Sequence, residues 1–522
     1  MKRNTLNYAA IYLVFFIFFL FHLTSNFSAS HDSIDYLYEF ESGINLIQPH
    51  HLFYHFTTFG LFRFLQWIFP HIKSYYLIET VTAAWASGVL LVVYQILKNR
   101  FQISSLNSLL TCCMICFSFG FWYYSTNIEV YMPPLFFTLL TLNEVAKKNF
   151  NLKKAILFHA MAILFHQVNV LMAPIILWRI WKERNNSSAI KSLLAYAIIG
   201  GGSVLIIYII LGSISIGQFN IPEWIKWAEG YTRSSKYWFP AKLSTLFNAF
   251  VGFSHALIGG QFVFQVPFIR DFLENKFFYH NLTDETYLVR NLSEKYALAL
   301  LLLTMVLLVV IVVITILILK KSKTIWRSEK ITLAPFLLFL VIYSIFFFFW
   351  MPENLEFWIP QSVVIWILIG GLSKYWSKSP RSKYVLSFIA LSLFVINYWG
   401  SVKWLLNIEN DIFYAKTKTV CNQADPADIL LLEDNWITDG YLKRCTHAKL
   451  YIEPTSNDSL ERKTLDDAIQ NCLSTNHKIY IFQEKTFMHG VKDATYVDSL
   501  INSFPSRTKD LGEPLTPIKV IQ

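Results

Sequence analysis

Charged residues are scarce in this chain: Asp, Glu, Lys and Arg make up only 15% of its 522 residues. A soluble chain carries nearer a quarter, so the usual division of such a length into several soluble domains is excluded. Six cysteines are too few for a disulfide-dense secreted scaffold. Nineteen glycines and 17 prolines rule out collagen-like and disordered chains. No internal repeat and no low-complexity tract is found, which excludes a solenoid. What fills the sequence instead is apolar. Hydrophobic residues reach 54%, with 46 Phe, 27 Tyr and 16 Trp, and the mean hydropathy is +0.40. The composition is that of a polytopic α-helical membrane protein.

A span needs roughly 20 mostly apolar residues to cross a hydrocarbon core about 30 Å thick. Such runs begin near residues 7, 75, 106, 130, 155, 168, 192, 296, 331, 358 and 384. They predict about 11 transmembrane helices, with the fifth and sixth short and closely coupled around His166 and Pro174. Lysines and arginines cluster at Lys2-Arg3, Lys98 to Arg100, Lys147 to Lys154, Arg179 to Lys191, Lys320 to Lys330 and Lys374 to Lys383. All these clusters fall in alternate loops, so all are expected on the cytoplasmic side. The formal net charge of +10 therefore reports topology and calls for no nucleic acid.

That topology places the N-terminus in the cytoplasm of an inner membrane and the C-terminal segment outside it, in the periplasm. The first span has signal-peptide features, Lys2-Arg3 before and Ser28-Ala29-Ser30 after, but its apolar run is long and reads as a retained anchor. Residues 1–405 form a multi-span domain with long outer loops at 27–74 and 215–295. From 406 to 522 the pattern changes. Short apolar runs at 428–432, 449–452 and 478–482 alternate with helical patterns at 465–473 and 496–504, which predicts a small extracytoplasmic α/β domain. Its Cys421, Cys445 and Cys472 allow one bridge at most, and the sequence does not say which.

The outer loops carry the acids. Asp32 and Asp35 follow the first span at i, i+3 spacing, on one face if the segment is helical. A carboxylate at the membrane boundary is partly desolvated, and its raised pKa suits a general base; the alternative is two aspartates solvating a loop. His51 and His55 are spaced i, i+4, which suits a metal or merely the polar side of an interfacial helix. Glu129 stands alone in a long apolar stretch beside Tyr131. Isolated acids at a helix mouth are costly unless functional, although a Glu next to Pro133-Pro134 can also cap a helix.

Asp-Ser-x-x-Tyr-Leu after the first span, the His50-His51 segment and Glu129-Val130-Tyr131 together resemble the GT-C glycosyltransferases, in particular the polyprenyl-phosphate-sugar-dependent branch that includes protein O-mannosyltransferases. The resemblance covers residues 1–180 as motifs and the remainder as layout. It implies a multi-pass enzyme for hexosyl or pentosyl transfer, with a catalytic acid in the first outer loop. Asp32 matches that acid, Glu129 the acid of the second outer loop, and His166 a polar position in the paired spans. The first loop departs from the family's His-Pro-Pro-Gly, reading Pro49-His50-His51-Leu52. A divalent metal at the first-loop acids is compatible with this chemistry but not required by it.

The rest of the outer face fits a lipid-linked sugar donor. Trp224, Trp227 and Tyr231 make one helical stripe for sugar rings or an aromatic belt. Lys226, Arg233 and Lys236 are cations that a departing phosphate needs, or snorkelling side chains. Glu353 and Glu356, in a turn between Pro352 and Pro360, offer acids for sugar hydroxyls or helix ends. The expected partners are the donor, membrane lipids and a protein, glycan or lipid acceptor. The competing readings are a lipid-linked saccharide flippase or other transporter, a saccharide polymerase or ligase, and a non-enzymatic scaffold. A transporter of this size usually shows inverted repeats, which are missing here.

Overall fold

Each of the eleven apolar runs folds as helix in the computed structural model, which describes residues 2–30, 32–183, 186–276, 283–377, 381–433, 435–453, 459–482, 496–505, 508–510 and 518–521. His31 and Asp434 lie outside the described residues, as does the side chain of Tyr231. Among the described residues, five helices are long and apolar enough to cross a membrane unaided: Ser74–Asn99, Ser188–Ile216, Glu294–Lys320, Ser322–Phe349 and Arg381–Leu405. The pair Ser105–Cys116 and Phe119–Ser125, bent by 76°, would make a sixth. The other runs are shorter helices. Met132–Val145 and Leu152–Phe165 have 14 residues each, roughly 21 Å of helix against the 30 Å of the bilayer core. The expected figure of about eleven thus counts apolar helices, of which five or six suffice by length.

The breaks have local causes. Pro133 and Pro134 open the Met132–Val145 helix, where their missing N–H groups cost nothing. Ser118 separates the bent pair. There Asn397 donates its side-chain amide to the carbonyls of Phe117 (2.7 Å) and Leu257 (2.9 Å), satisfying a carbonyl that the bend releases. Helices that keep their length divide by burial. Ser74–Asn99 is buried over most of its surface, whereas Glu294–Lys320 buries only Ala297, Leu300, Leu307 and Ile314, a narrow stripe that leaves the rest for lipid.

The chain divides into two units: Met1–Thr24, Glu39–Phe262 and Glu294–Leu406 in the first, and Ser25–Tyr38, Val263–Ser293 and Asn407–Gln522 in the second. The second is built on a five-stranded sheet with β1 (Ile429–Leu432), β2 (Lys449–Ile452), β3 (Ile479–Phe482), β4 (Thr508–Asp510) and β5 (Ile518–Ile521) in the order β2-β1-β3-β5-β4. The first three strands are parallel, and β5 runs antiparallel to both β3 and β4. β1 and β3 are buried along their whole length, which explains their unbroken apolar runs. Ile429 and Leu431 face Leu465, Ile469 and Cys472 of the Ser459–Ser474 helix. Leu430 and Leu432 face Val420 and Leu442, from the helices Ile412–Cys421 and Trp436–Cys445. A disulfide between Cys421 and Cys445, with Cα atoms 5.7 Å apart, ties those two helices together, and Cys472 stays a buried thiol.

Candidate active site

In the second unit, residues 25–38 are anchored through Asp411. Its carboxylate accepts from the backbone N–H of Ser28 (3.3 Å) and the hydroxyl of Tyr441 (2.5 Å). The same side chain caps the Ile412–Cys421 helix through the N–H groups of Phe413 and Tyr414. This anchor precedes the Ser33–Ser42 helix, whose Ile34 and Leu37 are fully buried. Asp32 stands immediately before that helix and is exposed; the Tyr36 hydroxyl lies 3.3 Å from its Oδ2. Asp35 lies in the first turn and is half-buried. The helical spacing expected for the pair is present, and an acid at either position also suits a helix N-terminus.

In the first unit, a run of contacting side chains begins at the loop 48–51. His50 Nδ1 takes a short hydrogen bond from the Gln167 side-chain amide, and its carbonyl accepts the Gln167 N–H at 3.1 Å. Tyr208 donates to the Pro49 carbonyl at 2.9 Å and holds the loop from the Gly202–Ile216 helix. His51 packs edge-on against His166, ring centroids 4.6 Å apart, and His166 lies 5.9 Å from the Tyr131 ring. Tyr131 meets Tyr124, whose hydroxyl donates to Glu356 Oε2 at 2.7 Å. Glu129 is buried and lies near the side chains of Tyr124 and Tyr54. Tyr131, His166, Asn169, Thr138, Glu356 and Phe357 line one small cavity. The structure thus brings His50, His51, Tyr131 and His166 into one contiguous run, with Glu129 beside it.

Burial keeps the loop histidines neutral. It lowers His50 to about 4, and holds His51 well below the ordinary histidine range, where His166, His55 and His50 add to the effect. A histidine whose pKa is lower in the folded chain contributes stability that is present above its unfolded value of about 6.5 and is lost as pH falls towards 4. Thermal stability is therefore expected to drop by roughly 1.4 kcal/mol per pH unit between pH 6.5 and 4 for His50 alone. A His50→Gln variant should flatten that dependence in melting curves. An unaltered slope would contradict the assignment.

His50 also depends on Gly230. That glycine adopts φ +50°, and a Cβ there would stand 2.5 Å from His50 Nε2. Gly230→Ala is expected to destabilise the chain by about 1–3 kcal/mol through backbone strain and to displace His50. Comparing melting temperatures of the Ala and wild-type chains tests this.

Other residues singled out in the sequence lie elsewhere. Trp224 donates its indole N–H to the Tyr208 carbonyl at 3.1 Å. Trp224 and Trp227 both press on Gly212, where a Cβ would stand 2.8 and 2.6 Å from them. Trp224 and Trp227, two members of the stripe read as a sugar platform, are thereby occupied in packing on the neighbouring helix. Lys226 and Lys236 are exposed, and Arg233 shares its charge with Glu229 at 3.4 Å. Glu353 is exposed, with the Asn248 amide 3.5 Å away, while the neighbouring Glu356 is the acid that reaches the cavity. His55 is buried against Glu39 (3.2 Å), whose carboxylate also takes the Gln48 amide at 2.9 and 3.0 Å. The described residues hold no group of three or more His, Cys, Asp or Glu side chains arranged to share a metal ion.

Gln167, Tyr124, and the Glu39 and Gln48 that accompany His55 are not singled out by the sequence. Glu39 and His55 are 16 positions apart with no periodic link, and Gln167 carries no motif of its own.

No protein-family model matches the sequence, and no curated protein matches it. Among solved structures, the chain is similar over its whole length to ArnT from Cupriavidus metallidurans. The crystal structure of ArnT in the apo state aligns with a TM-score of 0.56 at 9% identity, over 100% of this chain and 98% of that one. The crystal structure of ArnT bound to undecaprenyl phosphate aligns with a TM-score of 0.50 at 10% identity and the same coverage. At this identity the likeness is one of fold: the chain has the polytopic helical membrane fold of ArnT, as its resemblance to the GT-C enzymes implied.

Proposed function

We propose that the chain is a membrane glycosyltransferase of GT-C type, which moves a sugar from a polyprenyl-phosphate donor to an acceptor hydroxyl on the extracytoplasmic face. The observation that carries this reading is the full-length likeness of fold to a protein crystallised with undecaprenyl phosphate. The buried run of histidines, tyrosines and acids at the helix mouths supports it, because such groups are expensive in a membrane without a task.

In the reaction, the Asp32 carboxylate takes the proton from the acceptor hydroxyl, with Asp35 as the alternative base. The acceptor oxygen bonds to the anomeric carbon, with inversion, as the bond from that carbon to the phosphate oxygen breaks. Polyprenyl phosphate leaves with the electron pair, and Lys226, Lys236 and Arg233 are the cations assigned to its charge. Glu129 and Glu356 accept hydrogen bonds from sugar hydroxyls. On this reading the N-terminus is assigned to the cytoplasmic side and residues 406–522 to the outside.

The donor class is tested by binding. Purified full-length chain in vesicles should bind undecaprenyl phosphate at least tenfold more tightly than the neutral polyprenol of equal length. Lys226→Ala with Lys236→Ala should remove most of that difference. Equal binding of phosphate and alcohol would contradict the reading.

A further inference from the structure

A second cleft in the first unit, about 300 Å³ in volume, lies between the Ala173–Glu183 and Ser322–Phe349 helices. Trp178 and Lys182 line it from one helix, one turn apart. Trp326 and Lys330 face it from the other, with the Lys330 ammonium 5.6 Å from the Trp326 ring. Beyond Lys330 the wall continues as Ala334, Leu337, Leu338 and Val341. These positions follow one helical stripe over eight residues, about 12 Å, and carry no polar atom beyond the backbone. The cleft is therefore cationic at one end and apolar along its length.

Among the described residues, no carboxylate lines the cleft and neither Lys182 nor Lys330 forms an ion pair. The nearby Arg179 is committed to the backbone carbonyls of Lys147 and Lys148. Both lysines are exposed, as are Trp326 and Val341, so the cleft opens to whatever surrounds the helices. At that end of a spanning helix the surroundings change from hydrocarbon to headgroup, the level at which indoles and lysines settle. An unpaired pair of cations there attracts anions, and the apolar wall selects an anion that carries a hydrocarbon chain.

We infer that this cleft binds an anionic glycerophospholipid, with its phosphate on Lys182 and Lys330 and one acyl chain along Ala334 to Val341. The two indoles flank the headgroup, where each has an apolar face for the glycerol carbons and an N–H for an ester oxygen. The site is separate from the residues assigned to the sugar donor and does not depend on that assignment.

The test uses the full-length chain and counts lipid retained per protein by native mass spectrometry, with phosphatidylglycerol, phosphatidylcholine of the same acyl chains, undecaprenyl phosphate and inorganic phosphate as probes. One saturable phosphatidylglycerol is expected. Its affinity should fall about fivefold in Lys182→Ala or Lys330→Ala and about 25-fold in the double variant. Lys182→Arg and Lys330→Arg should retain it, and they also show that loss in the alanine variants is loss of charge. If the double variant does not fold, the single variants and the arginine pair carry the same comparison. Unchanged retention in the alanine variants, or equal retention of phosphatidylcholine, overturns the site. Tighter retention of undecaprenyl phosphate through the same two lysines, or displacement by inorganic phosphate, overturns the identity of the ligand.

Discussion

Replacing Asp32 by Asn is expected to lower turnover at saturating donor by about 10²- to 10⁴-fold, the range that loss of a general base produces. Donor affinity should change little, because a base acts on the acceptor proton in the transition state. The substitution is structurally mild. Asp32 is exposed, its neighbours Ser33, Ile34 and Leu37 carry the packing, and Asn at a helix start is as good a cap as Asp. A melting curve unchanged from wild type alongside the loss of turnover separates chemistry from folding. Asp35→Asn, one turn further and half-buried, should cost less. A larger loss at Asp35 than at Asp32 would exchange the two roles.

The second large effect is structural. Asp411→Ala removes the cap of the Ile412–Cys421 helix, worth about 1 kcal/mol. It also leaves the buried Tyr441 hydroxyl and the Ser28 N–H without their acceptor, at roughly 1–3 kcal/mol for each group left unsatisfied. Together these give about 3 kcal/mol or more, a large share of the stability of a domain of this size. Limited proteolysis should show accelerated cleavage in residues 407–522 and in 25–38, the segments that Asp411 joins. Asp411→Asn, which keeps one acceptor oxygen, should fall between Ala and wild type. Cleavage rates equal to wild type in the Ala variant would contradict this account of the anchor.

Much of the fold could be read from the sequence because its signals are local. The apolar runs are helices, and β1, β2 and β3 lie where short apolar runs sit between polar stretches. β4 and β5 went unread: Thr508–Asp510 is only three residues long, and Ile518–Ile521 is an ordinary alternating tail that becomes a strand by pairing with β3. The helices Ile412–Cys421 and Trp436–Cys445 were also missed, since their capping residues Asp411 and Asn435 announce a start but little periodicity follows. Burial of β1 on both faces depends on those two helices and on Ser459–Ser474, which no single segment declares.

The site was legible where a polar residue interrupts apolar sequence. Glu129, His166 and the His50-His51 pair stand out on that ground, and three of them, with Tyr131, form a single run of contacts. What sequence cannot give is direction. Trp224 looks available on a helical wheel but is turned onto Gly212. Glu353 and Glu356 are equivalent in the sequence, yet a 3-10 turn at Leu355–Trp358 points Glu356 at Tyr124 and leaves Glu353 exposed. The i, i+4 spacing of His51 and His55 suited a metal, whereas in the fold His55 is taken up by Glu39, a partner 16 positions earlier.

The central claim, transfer of a sugar from a polyprenyl-phosphate donor, is tested most directly by following radiolabel in vesicles that contain the full-length chain, a panel of labelled polyprenyl-phosphate sugars and membrane extract as the source of acceptor. One donor is expected to lose its label to a new acceptor while an equal amount of free polyprenyl phosphate appears. Donor that stays intact across the whole panel and instead crosses the bilayer would contradict the transferase and make the chain a transporter of its lipid-linked sugar.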